Sequence, residues 1–142
     1  MAADAWVFHD DFKYKLGNKE IDLDNDVFEE RLATSLSNIA TTSVGDATTV
    51  TNEVSGNGYV ADAITPTWTQ SGATSTFDGS DGAFLASGGS ITARYAYLVN
   101  TTLTPDLVVA HSLLDNTPAD VTVTDGNTLT VQNNASGIGT LT

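Results

Sequence analysis

The fold class follows from one stretch of sequence, SITARYAYLV at residues 90–99. β-Branched and aromatic side chains dominate this stretch, and they suit the pleated, half-buried surface of a β-sheet. Similar short runs recur from Tyr59 onwards, separated by Gly, Asp and Asn. This pattern is typical of antiparallel sandwiches and barrels, because βαβ units would place helical segments between the strands. We therefore predict a mainly β fold, an antiparallel β-sandwich of Greek-key or jelly-roll type with a short N-terminal helix.

Residues 1–20 form the predicted helical segment, with Asp4 as its candidate N-cap and Gly17 as its stop signal. Large apolar residues recur there at every fourth position, namely Phe8, Phe12 and Leu16. Such a stripe is too apolar to face water. It either caps the body of the domain or docks onto a partner, and the spacing favours neither interpretation.

Residues 21–58 combine a predicted hairpin with a long irregular segment. The hairpin turns at Asp24-Asn25-Asp26, which is a strong turn signal. Residues 27–36 fit both a helix and a half-buried strand, and we favour the strand. Ser, Thr, Asn and Gly dominate residues 34–58 and predict an irregular excursion. The later predicted strands lie at 59–65, around Trp68, and at 74–77, 83–86, 90–99, 107–114, 121–124, 128–132 and 138–141.

Length and composition limit the classes of function. The chain has 142 residues, which fits a single β-rich domain over 1–142. It has no cysteine, so disulfides and thiolate-ligated metals are excluded. Its net charge of −13 repels phosphate backbones and anionic bilayers, so we expect no nucleic-acid or membrane partner. We also expect synthesis in the cytoplasm, because no secretory signal or long apolar run is present.

The sequence carries no recognisable reactive centre, so we predict a protein that is not an enzyme and holds no cofactor. It lacks a Gly-x-Ser-x-Gly motif, and its only histidines are His9 and His111. Residues 22–33 begin like a calcium-binding EF-hand loop but have Val27 and Ala33 where Gly and Glu are needed. The oxygen-rich loop at residues 78–82 is compatible with a weakly bound calcium ion or an ordinary turn, and we favour the turn.

Short motifs spread over most of the chain resemble a family of small bacteriophage virion proteins, the head decoration or cement proteins. They are Phe12-Lys13 with Leu16-Gly17, Ile21-Asp22-Leu23-Asp24, Gly56-Asn57-Gly58-Tyr59, Phe84 through Ala96, and Asp125-Gly126-Asn127 through Gly137-Ile138. Residues 33–51 depart from the family pattern because they are richer in Ser and Thr. The resemblance implies a β-rich virion component on the outer capsid surface, bound to the major capsid protein and assembled there as a trimer or dimer.

The N-terminal segment is the predicted docking element. Arg94 is the remaining candidate contact, paired either with an aspartate of its own chain or across a subunit contact. The other candidate interface residues are aromatic anchors or cations, namely Trp6, Phe8, Phe12, Lys13, Tyr14 and Lys15. Lys19 adds a further cation, and together the lysines would complement an acidic lattice.

Two other hypotheses remain open. In the first hypothesis, the protein is a neck or tail component of a virion. In the second, it is a carbohydrate-binding or adhesin module, in which aromatic residues such as Trp68 stack on sugar rings. Aromatic residues of this kind more often belong to a core or a protein interface.

Overall fold

The computed structural model describes residues 4–117 and 119–142. Over these residues the helices are α1 (Asp10–Gly17) and a single 3-10 turn (Ala47–Thr49). The strands are β1 (Val7–Phe8), β2 (Phe28–Ala33), β3 (Asp62–Ile64), β4 (Pro66–Ser71), β5 (Thr74–Gly79), β6 (Gly82–Leu85), β7 (Ile91–Ala93), β8 (Tyr95–Asn100), β9 (Leu107–Leu113), β10 (Val121–Val123), β11 (Thr128–Val131) and β12 (Gly139–Leu141).

The prediction of a mainly β, antiparallel fold with a short N-terminal helix is confirmed. Every strand pairing within the described residues is antiparallel. The pairs form a five-stranded sheet in the order β1-β9-β8-β2-β3, a three-stranded sheet β12-β5-β4, and the pairs β10-β7 and β11-β6. Because these are four separate sheets instead of two, the sandwich arrangement stays a prediction.

The five-stranded sheet has two covered faces. On β2, alternation places Phe28 and Leu32 on the face that packs against the smaller sheets. The main core lies there and includes Phe77, Phe84 and Leu98. Tyr97, Val99 and Val108 point to the opposite face, where they form a second cluster with Ile39 and Ala47.

The irregular segment predicted at residues 34–58 covers this second face. Its 3-10 turn lies beside β9, where the backbone N–H of Ala47 donates to the carbonyl of Asp106. Near its end the N–H of Val54 donates to the carbonyl of Leu32. The segment is therefore irregular in its backbone, yet hydrogen bonds in its middle and near its end tie it to the sheet.

The predicted start of the N-terminal helix is wrong. The helix does not begin after Asp4; Val7 and Phe8 instead pair with β9, and α1 begins at Asp10 with His9 at the N-cap position. Apolar residues at every fourth position resemble a helical stripe here because the chain turns at His9 and stacks the Phe8 ring on the Phe12 ring, with ring centroids 5.2 Å apart.

The hairpin predicted over residues 21–28 is also not formed. The turn at 23–26 exists, and the Asp22 carboxylate accepts from the N–H groups of Asp24 and Asn25. However, the residues before it are not a strand, and β2 pairs instead with β8 and β3. The strand favoured over residues 27–36 is confirmed as β2. Each predicted strand from Tyr59 onwards coincides with an observed one to within a few residues, except that the strand predicted at 90–99 is two strands, β7 and β8, in different sheets.

Candidate binding surface

The N-terminal aromatic residues divide between the core and the surface. Trp6 is 9% exposed and Phe12 3%, and both belong to the main core. The Trp6 indole N–H also donates to the Asn133 side-chain oxygen at 3.1 Å. Phe8 is half-buried, whereas Tyr14 is 70% exposed on α1. In the isolated chain Trp6 and Phe12 therefore serve packing, and Tyr14 is free to contact a partner.

The lysines of α1 are paired within the chain. The ammonium group of Lys13 lies 3.0 Å from the Asp10 carboxylate, and that of Lys15 lies 2.6 Å from the Glu20 carboxylate. The bond to Lys15 holds the pKa of Glu20 below its usual value. These solvent-exposed pairs contribute little to stability, but they cancel much of the positive charge that the sequence suggested for this segment.

An apolar groove opens between α1 and the three-stranded sheet. Its volume is about 180 Å³, and the Phe12 and Leu16 side chains form one wall. Trp68 of β4 and Leu141 of β12 form the other wall. Trp68 is half-buried and Leu141 is 57% exposed, so the groove is reached from solvent. It is the surface feature best suited to receive an apolar group.

A second, polar cavity of about 440 Å³ adjoins this groove and shares Leu16, Leu23 and Trp68 with it. Its outer lining is charged and comprises Lys19, Glu20, Asp22 and Asp26. Hydrogen bonds from Asn25 and from the backbone of Asp24 lower the pKa of Asp22. That carboxylate is therefore ionised at neutral pH, and the groove has an acidic border.

Arg94 forms an ion pair within its own chain. Its Nε donates to the Asp120 carboxylate at 2.8 Å, and the arginine side chain is 21% exposed. Of the two alternatives for this residue, the internal pair is the one formed in the isolated chain.

The two histidines meet although 102 positions separate them. His9 Nε2 lies 2.9 Å from His111 Nδ1, and His9 Nδ1 lies 2.7 Å from the Val44 carbonyl oxygen. A carbonyl oxygen can only accept, so Nδ1 of His9 carries a proton. With both rings neutral, His9 Nε2 then accepts from His111 Nδ1. Sequence inspection gave no sign of this pair, because neither histidine lies in a motif.

Burial keeps both imidazoles neutral. It lowers the pKa of His9, an effect partly offset by the hydrogen bond to Val44 and by the Asp10 charge. Burial and the neighbouring His9 lower the pKa of His111 to about 4. His9 is fully buried and His111 is 8% exposed. The pair therefore links residues 34–58 to the five-stranded sheet and offers no open reaction site.

Glu30 is the other buried titratable group that the sequence did not reveal. It is 1% exposed on the core face of β2, and neither carboxyl oxygen has a hydrogen-bond partner. Burial, followed by the charges of Asp62 and Asp81, raises the pKa of Glu30 well above its usual value. The carboxyl group packs on Gly82, where a Cβ atom would lie 2.6 Å from the carboxyl carbon, so a larger residue at this position would displace the Glu30 side chain. Burial therefore favours the neutral, protonated form of this side chain.

Residues 78–82 span the end of β5, a two-residue connection and the start of β6. The Asp78 carboxylate accepts from the N–H of Gly79 at 2.8 Å, and that of Asp81 accepts from the N–H of Asn133 at 2.9 Å. Within residues 4–117 and 119–142, no group of three or more acidic, histidine or cysteine side chains is arranged to hold a metal ion.

No family model, no curated protein and no solved structure matches the chain. In the part of the chain that the structure describes, no helix combines the length and apolar character that crossing a membrane requires.

Proposed function

We propose that the protein is a bacteriophage capsid decoration protein, which binds the outer surface of the major capsid shell and stabilises it by protein–protein contacts. The observation that carries this proposal is the open apolar groove along α1. Grooves of this kind, set in a polar surface, are where partner side chains anchor. The exposed Tyr14 ring on the same helix extends the contact surface.

The charge of the chain supports a location outside the shell. A surface with a net charge of −13 is repelled by packaged DNA. On the exterior the same charge keeps particles soluble and mutually repulsive. The resemblance of residues 84–96 and the flanking motifs to head decoration proteins points to the same location. Such proteins assemble around the symmetry axes of the capsid, so we propose a trimer or dimer there.

Antibody labelling of intact particles tests the location. Antibodies against the purified protein should decorate the whole head in electron micrographs, because a cement protein occupies the repeating lattice. Labelling confined to one vertex or to the tail would favour a neck or tail component instead. Absence of labelling on intact particles, with labelling on opened ones, would contradict an exterior position.

One observation favours a second candidate, a carbohydrate-binding module. Trp68 lies where the apolar groove meets the carboxylates of Asp22 and Asp26, and sugar sites combine an aromatic platform with such polar groups. Glycan-array binding that disappears in Trp68→Ala would support this alternative.

A further inference from the structure

The groove along α1 has the size and chemistry of a socket for one side chain. Its volume of about 180 Å³ slightly exceeds a cavity of about 150 Å³, which accommodates a benzene ring. Phe12, Leu16, Trp68 and Leu141 supply apolar walls on opposite sides. A leucine-sized or aromatic side chain would therefore fit, and a longer helix or strand would not enter.

The border of the groove adds a charge requirement. Glu20, Asp22 and Asp26 line the adjoining cavity together with Lys19, and Lys13, which is paired with Asp10, lines the groove itself. Glu20 is already paired with Lys15, whereas the Asp26 carboxylate accepts only from neutral N–H groups, those of Asp22 and Asn100. The acidic border thus keeps negative charge for a cation that approaches along the groove.

We propose that this groove receives a segment of the partner protein in which a large apolar side chain is flanked by lysine or arginine. The apolar side chain fills the space between α1 and β4, and the basic side chain meets the carboxylates at the border. The inference rests on the proposed function and specifies the chemistry of the shell segment that the protein recognises. It also reverses the expectation of an acidic partner, because Lys13 and Lys15 are neutralised by Asp10 and Glu20.

Charge argues against a second copy of this chain as the occupant. Each copy carries −13, and the two lysines beside its exposed Tyr14, Lys13 and Lys15, are already paired with Asp10 and Glu20, so this segment of a second copy brings little net positive charge to the acidic border. Copies on the shell would then meet through other surfaces. A cationic segment is instead attracted by the field of the whole molecule and by the local carboxylates.

Two small probes that differ only in charge test the socket on the isolated protein. Phenethylammonium and 3-phenylpropionate both present a phenyl ring, and their head groups are cationic and anionic. The chain has two tryptophans, so two indole N–H resonances report binding by NMR. The Trp68 resonance should shift on titration with phenethylammonium. The Trp6 resonance should stay in place, because its N–H is bonded to Asn133 in the core.

We expect phenethylammonium to bind about two- to fivefold more tightly than 3-phenylpropionate at low salt, which is the range for exposed ion pairs. Asp26→Asn should reduce that preference. The control Asp125→Asn should not, since Asp125 also accepts a backbone N–H but does not line the groove. Trp68→Ala should abolish the shifts of the other side-chain resonances that line the groove, such as those of Leu16 and Leu141. Val60→Ala should preserve them, because Val60 is exposed and does not line the groove.

Equal binding of the two probes would overturn the basic partner. No shift at Trp68 with either probe would overturn the socket itself. A shift with methyl glucoside and none with phenethylammonium would assign the site to carbohydrate instead. A folded Trp68→Ala variant that decorates particles like the wild type would show that the partner does not use the groove. These outcomes are distinct from failure of the proposed function, which would appear as particles that lack the protein.

Discussion

The histidine pair makes the stability of the protein sensitive to mild acid. Both imidazoles have a lowered pKa in the folded chain, so the unfolded chain binds protons first as the pH falls. Their contribution to the free energy of unfolding is complete above pH 6.5, the ordinary histidine pKa. It is lost progressively as the pH falls from there towards about 4, the pKa of folded His111.

The size of the effect follows from the two pKa values of His111. Between pH 7 and pH 5, a pKa of 6.5 in the unfolded chain and about 4 in the folded chain removes about 2 kcal/mol from the free energy of unfolding. Solvent screening near the 8% exposed ring reduces this to about 1–2 kcal/mol. The charges near His9 modify this loss of stability. Asp10 raises the pKa of His9 and so reduces the loss, whereas Lys13 lowers the pKa of His9 and so increases it.

Urea denaturation of wild type and His111→Gln at pH 5, 6 and 7 measures this contribution. Glutamine retains an N–H donor for His9 Nε2 but does not titrate, and the carboxylates common to both proteins cancel in the difference. The wild type should lose about 1–2 kcal/mol more than the variant between pH 7 and pH 5. Parallel pH profiles for the two proteins would refute the inference that the His111 ring is held neutral by burial.

Further expectations concern the core, the N-terminal segment and assembly. Glu30→Leu should raise the free energy of unfolding, measured in urea, by about 1–3 kcal/mol at pH 8 and by less at pH 5. The difference is expected because the raised pKa of Glu30 makes the stability of the wild type fall as the pH rises. An effect that is the same at both pH values would contradict a neutral buried acid. Phe12→Ala should lower the free energy of unfolding, measured by thermal denaturation, by about 3–5 kcal/mol, whereas Tyr14→Ala should change it by at most about 0.5 kcal/mol. Similar losses in the two variants would contradict the different burial of Phe12 and Tyr14. Deletion of residues 1–20 should unfold the body, as seen by loss of dispersed NMR signals, since Trp6 and Phe12 belong to the core; a folded remainder would mean that the segment is an independent arm. Assembly of the proposed trimers should weaken at low ionic strength, because each copy carries −13. A sedimentation profile that is independent of salt would show that repulsion between copies is not limiting.

Local sequence signals predicted the strands from Tyr59 onwards because each run of β-branched and aromatic residues is short and is bounded by turn residues. The run at residues 107–114 became β9, whereas the run at 90–99 became two strands, β7 and β8, which are divided at Arg94 and belong to different sheets. The same local signals failed at Asp4–Phe8, where pairing with β9 overrides a helical spacing. Tertiary contacts of this kind leave no local signature in the sequence. Apolar residues at every fourth position therefore could not distinguish a helix from a strand followed by a turn.

The features of the candidate surface depend even more on long-range contacts. Trp68 and Leu141 face α1 only because β4, β5 and β12 form one sheet. The pairing of His9 with His111 and the burial of Glu30 likewise arise from residues far apart in sequence. The sequence indicated an aromatic N-terminal segment. It could not show that Trp6 and Phe12 are used by the core, or that the open apolar surface lies beside them.

A capsid decoration protein, as we propose this chain to be, is a repeated component of the shell. Quantitative mass spectrometry of purified particles, calibrated with labelled peptides of this chain and of the major capsid protein, measures its copy number. We expect a fixed ratio to the major capsid protein, with copies in the hundreds. A dozen or fewer copies per particle, or none, would contradict the account.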